Sequence, residues 1–347
     1  MTALRPSLIR WTAAALYGAR LTRPLSVALA YAGRASFPIF TYHRINDDDD
    51  PFFPATPVAV FEERIAYLAR TCTVLTVDEL VERMHRGRLP RNSVAVTFDD
   101  GYRDNLTHAA PILSRHAVPA TIFLATGAIG TGRALWFDRL ALAFRDTTAH
   151  DVITPWTERL ELTGREPRLR ALSRTLDRFK RMADEDRERA QDVLLERLGL
   201  VDESPLRRTM LDWNEVRDLR RLGFTVGAHT VTHAILSRVT AERARAEIAG
   251  SRLAIAAACG DYPRTFAYPN GGRADYTAGV VRMVREAGFS SAVTTRLGVN
   301  ASATPPYELR RGGPWEHELP TFALKLAHQR LSRTRDREEL VPAGGAQ

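Results

Sequence analysis

Seven short apolar runs recur along this chain, at 38–42, 73–76, 94–98, 120–125, 224–228, 265–268 and 290–294, and most lead into a stretch of helical periodicity. Several are continuous rather than alternating, the pattern of strands buried on both faces. Helix starts follow ordinary rules: Thr56 and Pro57 offer a cap and a first-turn proline ahead of the periodic VAVFEERIAYLA. Strand and helix alternating this often predict a parallel α/β sheet or barrel. The length of 347 residues suits one large α/β domain with insertions or two average domains.

One interval breaks the rhythm. Residues 131–212 carry no strand signal but Arg/Glu-rich helical sequence, such as LRALSRTLDRFKRMADEDRERAQDVLLERLG. A connection that long needs structure of its own, so it reads as a helical insertion. It is either a lid over a site or a solvated helical pair without catalytic role. The chain then divides into a basic, amphipathic segment at 1–35, a main domain at 36–318 carrying the insertion, and a C-terminal helix with a polar tail at 319–347.

The net charge of +8 comes almost wholly from arginine: of 49 basic residues only Lys180 and Lys325 are lysines. Arginine suits anionic glycans, lipid headgroups or nucleic acid, but charge balance speaks more to solubility than to a specific partner. No glycine-rich phosphate loop or nucleic-acid motif supports a nucleic-acid role. Cys72 and Cys259 are far apart and form no CxxC arrangement, which argues against a thiolate metal site or a disulfide framework. No run reaches the roughly 20 apolar residues that span a bilayer. Near the N-terminus, Arg5 and Arg10 precede an apolar run from Trp11 to Ala19, and a second run occupies 25–32. Three readings stand: a cleaved export signal, a helix lying on a membrane surface, or a packing helix. They favour a cytoplasmic or membrane-peripheral location, with export through an atypical signal as the alternative.

Two motifs carry chemistry. In VAVTFDDG at 94–101 an apolar strand runs straight into Asp99 and Asp100, and Gly101 lets the chain turn. Sites in parallel α/β folds are built at the carboxyl ends of strands. Adjacent carboxylates repel unless a cation or hydrogen bonds hold them; the plainer reading has one of them capping the next helix. The second motif, His229-Thr-Val-Thr-His233, begins where the 224–228 strand ends. Two histidines four apart can face one side of a helical turn and share a metal. A His-His-Asp set with an open water position has the composition of a catalytic zinc site.

TFDDG at 97–101, HTVTH at 229–233 and the PATIFL strand at 119–124 resemble the polysaccharide deacetylase family, the NodB-homology domain of carbohydrate esterase family 4. The similarity covers 37–130 and 210–312. It implies a distorted (β/α) barrel of about seven parallel strands. It also implies Asp99 as general base and Asp100, His229 and His233 as ligands of a divalent metal, Zn²⁺ ahead of Co²⁺ or Ni²⁺. An N–H at Asn270 is implied as oxyanion donor. The chain departs from the family at its third motif, where Ala267-Tyr268-Pro-Asn270-Gly replaces the usual Arg-x-Pro-x-Gly and removes the arginine that steadies the base. The wording FAYPNG, which places Tyr268 and Asn270 at the substrate, is similar to the branch of biofilm exopolysaccharide deacetylases. In that branch the catalytic acid is a histidine ending an early strand, which implies His43 of Phe40-Thr-Tyr-His43. No late Leu-x-His motif exists; Glu308-Leu-Arg-Arg311 stands there, and Arg311 is the candidate for the lost arginine. Trp136 and Trp315 could stack on a sugar or pack in the protein.

The expected activity is metal-dependent N-deacetylation of an acetylated polysaccharide, oligosaccharide or glycolipid. The alternatives are O-deacetylation of an acetylated polysaccharide and a glycan-binding protein that keeps the fold without turnover. The complete Asp99, Asp100, His229, His233 set weighs against the latter.

Overall fold

A computed structural model describes residues 6–22, 36–313 and 318–329. The expectations that fall on 25–32, on Trp315 and on the tail beyond 329 lie outside the described residues.

All seven apolar runs form strands of one parallel sheet: β1 (Ile39–Tyr42), β2 (Thr73–Val74), β3 (Ser93–Phe98), β4 (Thr121–Leu124), β5 (Thr225–Ala228), β6 (Thr265–Ala267) and β7 (Ser291–Val293). Their order is β7-β6-β5-β4-β3-β1, with β2 paired to the early half of β3. The β3, β4, β6 and β7 strands are buried throughout, which is why their sequences run apolar without alternation. The sheet curls toward closure through a segment without strand signal. Leu309 bridges Val293 of β7, and Gly312 bridges Phe40 of β1, both in parallel sense. Arg311 thus stands between the first and last strands of the distorted barrel.

Helices α1 (Pro6–Gly18), α2 (Val58–Thr71), α3 (Val77–His85) and α4 (Ala110–Arg115) accompany the first half of the chain. Thr76 closes a capping box with Glu79 at the start of α3, satisfying two helix-end donors reciprocally. The insertion contributes α5 (Trp136–Asp146), α6 (Arg165–Phe179) and α7 (Asp184–Leu198). The second half adds α8 (Trp213–Arg221), α9 (Ala241–Cys259), α10 (Ala278–Glu286) and α11 (Leu319–Gln329). The main core lies between the sheet and these helices and includes Tyr42, Phe61, Phe98, Ile122 and Phe266. Each ring or branched side chain buried there contributes about 1.5–3 kcal/mol relative to exposure. The outermost helices join that core too: α1 packs on α11, and Phe322 of α11 meets Phe40 and Tyr67.

The region 131–212 is not wholly helical. It contains an antiparallel hairpin, 151–153 against 159–161, turned by Thr157 at φ 67°. Three-residue strands around a Pro155-Trp156 turn are too short to show period-two alternation, so the sequence pattern hides them. The insertion has its own core, built on Trp136, Phe144, Leu160, Phe179 and Leu194. Trp136 is buried there, packed on Phe137 and Phe179, which is the packing alternative rather than a sugar platform. Among the described residues no helix is long and apolar enough to cross a membrane.

Candidate active site

The carboxyl ends of β1, β3, β5 and β6 bring the site together. Asp99 and Asp100 follow β3 directly, and the turn behind them requires Gly101. Its φ is +92°, and a Cβ there would stand 2.8 Å from Ile129 Cδ1 and 2.9 Å from Leu124 Cδ2. Asp100 itself sits at φ 76°, a left-handed conformation that costs a branched or acidic residue of order 1–3 kcal/mol.

Asp100, His229 and His233 are all buried, and one ligand atom from each lies within 4.8 Å of the others. Asp100 Oδ1 is 3.5 Å from His229 Nε2 and 3.4 Å from His233 Nε2. Asp100 Oδ1 is also a buried oxygen without a hydrogen-bond partner. The electrostatics point the same way. Burial, then the neighbouring Asp99, raises the Asp100 carboxyl well above its ordinary value. Burial lowers both imidazoles, His233 strongly and with help from His229. An acid driven toward its neutral form beside two neutral imidazoles is a pocket short of one positive charge, and a divalent cation fits the donor set. His229 Nδ1 donates to the carbonyl of Ala267 at 2.8 Å, which leaves Nε2 as the free ligand atom.

The two histidines do not share a helical turn. They stand on an irregular loop after β5, with Thr230 at φ 64° and His233 at φ 58°. A buried carboxylate folds that loop: Glu247 of α9 accepts from Val231 N and Thr232 N, both at 2.8 Å, and from Thr232 Oγ1. Three bonds to one side chain replace the helical ladder, so the four-residue spacing converges on Asp100 for a different reason than a helix would supply.

Arg311 reaches Asp99 across 212 residues and binds it with both guanidinium arms, Nη1 to Oδ1 and Nη2 to Oδ2, each at 2.7 Å. Its Nε donates to Thr294 O at 3.0 Å and Nη1 also to Thr97 Oγ1, with the side chain 1% exposed. Burial alone would raise Asp99, but the charge and hydrogen bonds of Arg311 outweigh it and hold the carboxyl well below the usual range. His43 directly follows β1, and its carbonyl accepts from Asn105 Nδ2 at 2.7 Å. Burial lowers its imidazole to about 4, opposed by Asp99 and reinforced by Arg311 and His229. These mutual influences place His43 in the same electrostatic cluster as Asp99.

At the end of β6, Asn270 adopts φ 58° and its carbonyl accepts from Thr295 Oγ1. Tyr268 is fully buried: its ring stacks on Tyr276 at 4.4 Å and its hydroxyl donates to Tyr307 O. The Tyr268 side chain thus supports the Asn270 loop from inside. Sequence reasoning missed Asn105, Glu247 and the buried Asp138 of the insertion. Their only early signal is a polar residue on a helix face that should be apolar, a signal too common to act on.

The sequence signature described as polysaccharide deacetylase matches residues 86–292. The chain belongs to the polysaccharide deacetylase family. A stretch of 72 residues is 35% identical to poly-beta-1,6-N-acetyl-D-glucosamine N-deacetylase of Staphylococcus epidermidis, covering 20% of this chain and 25% of that protein. The chain thus matches about a quarter of the length of such curated relatives. Among solved structures, a Streptococcus pyogenes deacetylase determined with acetate superposes with a TM-score of 0.59 at 17% identity, over 85% of this chain and 99% of that one. IcaB from Ammonifex degensii superposes with a TM-score of 0.55 at 19% identity, over 86% and 99%. These likenesses establish the parallel barrel fold.

Proposed function

We propose that this protein is a metal-dependent polysaccharide deacetylase that removes acetyl groups from N-acetylglucosamine-type residues of a glycan or glycolipid. The observation that carries the reading is the meeting, at one end of one barrel, of an arginine-clamped carboxylate and an Asp–His–His donor set with atoms within 4.8 Å of one another. The names of the curated relatives support the substrate class.

Asp100, His229 and His233 would hold the cation, with Zn²⁺ the best match to one carboxylate and two imidazoles. A cation bound there supplies a Lewis acid that polarises the acetyl carbonyl and acidifies water. The chain's own residues do the rest. Asp99, kept ionised by Arg311, accepts the proton of the attacking water. Arg311 fixes both Asp99 oxygens, so the accepting lone pair has one direction. The Asn270 N–H, which donates to no described residue, would hold the oxyanion. His43 delivers a proton to the leaving amine, which could not depart as an anion. Burial lowers its imidazole to about 4, and the neighbouring Asp99 charge opposes that fall, so Asp99 supports the imidazolium form that donates.

The test is acetate release by purified, Zn²⁺-loaded protein from matched N-acetylated and O-acetylated glycans. Release from the N-acetylated members supports the reading; release from esters alone would replace it with O-deacetylation. We further propose contact with an anionic membrane through α1 and the turn after it, where Trp11 is 77% and Leu21 50% exposed, near Arg10 and Arg20.

A further inference from the structure

The insertion reaches the site through one side chain. Asp138, on the first turn of α5, is 3% exposed. Its Oδ1 accepts from Arg44 Nη2 at 2.9 Å and its Oδ2 from the Tyr102 hydroxyl at 3.0 Å. The Arg44 guanidinium lies 4.0 Å from the centre of the Tyr102 ring, so the three groups form one closed cluster. Arg44 directly follows His43 at the end of β1; Tyr102 stands two residues after Asp100 at the end of β3. One carboxylate from the insertion therefore ties together the strand ends that carry the acid and base candidates.

The neighbouring contacts have the same direction. Phe137 sets its ring edge-on to the His233 ring at 5.1 Å. The chain leaving the insertion returns to the same turn, with Leu211 N donating to Gly101 O at 3.0 Å and Arg103 N to Thr209 O at 2.8 Å. A solvated appendage would not place a buried ion pair here, because burying one costs desolvation that apolar residues of similar size avoid. Geometry is what a buried pair of this kind retains and an apolar pair loses.

We propose that Asp138 is a positioning residue of the catalytic centre: its carboxylate clamps Arg44 and Tyr102, and through them fixes the strand ends bearing His43 and Asp99–Asp100. The inference deepens the deacetylase reading and rests on it for its kinetic arm.

The experiment compares wild type, Asp138→Ala, Asp138→Asn and the double variant Arg44→Met/Asp138→Leu, all at saturating Zn²⁺. Each is assayed in that state for acetate release from an N-acetylglucosamine oligomer and for Tm, and after chelation for Zn²⁺ affinity by calorimetry. Asp138→Ala should lose tenfold or more in kcat with KM within about twofold. Asp138→Asn, which keeps an acceptor for Tyr102 but not the ion pair, should fall between, and it serves alone if the alanine variant does not fold. The double variant replaces the ion pair by apolar packing and should regain Tm while kcat stays down. Zn²⁺ affinity of the single variants should weaken about tenfold, the scale of outer-shell changes at metal sites. Recovery of kcat together with Tm in the double variant would make the cluster merely structural and overturn the proposal. So would an Asp138→Ala enzyme with wild-type kcat. If wild type released no acetate, the deacetylase reading would fail separately, and the clamp would stand or fall on the Zn²⁺ affinities.

Discussion

Replacing Arg311 by methionine keeps an unbranched apolar stem and removes the charged guanidinium, which isolates what that group does. In the native protein it makes two bonds to Asp99, one to Thr294 O and one to Thr97 Oγ1 while 1% exposed. Removing one partner of such a buried pair costs about 3–5 kcal/mol, because the other charge stays behind uncompensated. At roughly 2–4 °C per kcal/mol for domains of a few hundred residues, Tm should fall by about 6–20 °C. The pH dependence has a definite sign. Native Asp99 is depressed below its unfolded value, so its contribution is full above the ordinary carboxylate range and fades only in strong acid. Without Arg311 burial dominates and the carboxyl rises, so protonation favours the folded variant. The stability gap between variant and wild type should therefore be widest near pH 7 and narrow toward pH 4–5. Adding Asp99→Asn to the variant removes the stranded charge and should recover 1 kcal/mol or more at pH 7. Urea denaturation at both pH values measures all of this. A loss below about 1 kcal/mol, or a gap that widens on acidification, would refute the clamp as the reason for the low Asp99 pKa.

Other outcomes follow from the same geometry. His229→Ala should lose most bound metal and remain folded, whereas Asp99→Asn should keep metal and lose about 10²–10⁴-fold in turnover; elemental analysis beside kinetics separates them. His43→Ala should retain metal and hinder amides more than activated esters, whose leaving groups need no proton; equal losses on both would remove the acid role. Trp11→Ala should reduce sedimentation with anionic vesicles but not with neutral ones, and an unchanged distribution would sink the membrane proposal.

Much of this was legible in the sequence, because strands buried on both faces leave continuous apolar runs and parallel sheets put chemistry at their ends. All seven strands and the pairing of Asp99–Asp100 with His229 and His233 follow from that. Arg311 could be named from the residues that replace a missing histidine, but its bond to Asp99 depends on barrel closure by 309–312, a segment with no strand pattern. The loop between the two histidines was not legible, since Glu247 folds it from a distant helix and Thr230 and His233 take left-handed backbone. Asp138 was hidden for the same reason: it meets Arg44 across 94 residues, and nothing local distinguishes it from a solvated aspartate at a helix start. The packing of the Tyr268 ring on Tyr276 was not legible either, because a motif fixes a backbone position but not which way a ring turns.

The most direct test of the central claim is a titration of chelated, metal-free protein with Zn²⁺ while acetate release from an N-acetylglucosamine oligomer is followed. The donor set of Asp100, His229 and His233 predicts release that rises linearly and breaks at one equivalent per chain. Release that is independent of added metal, or none at saturation, would contradict it.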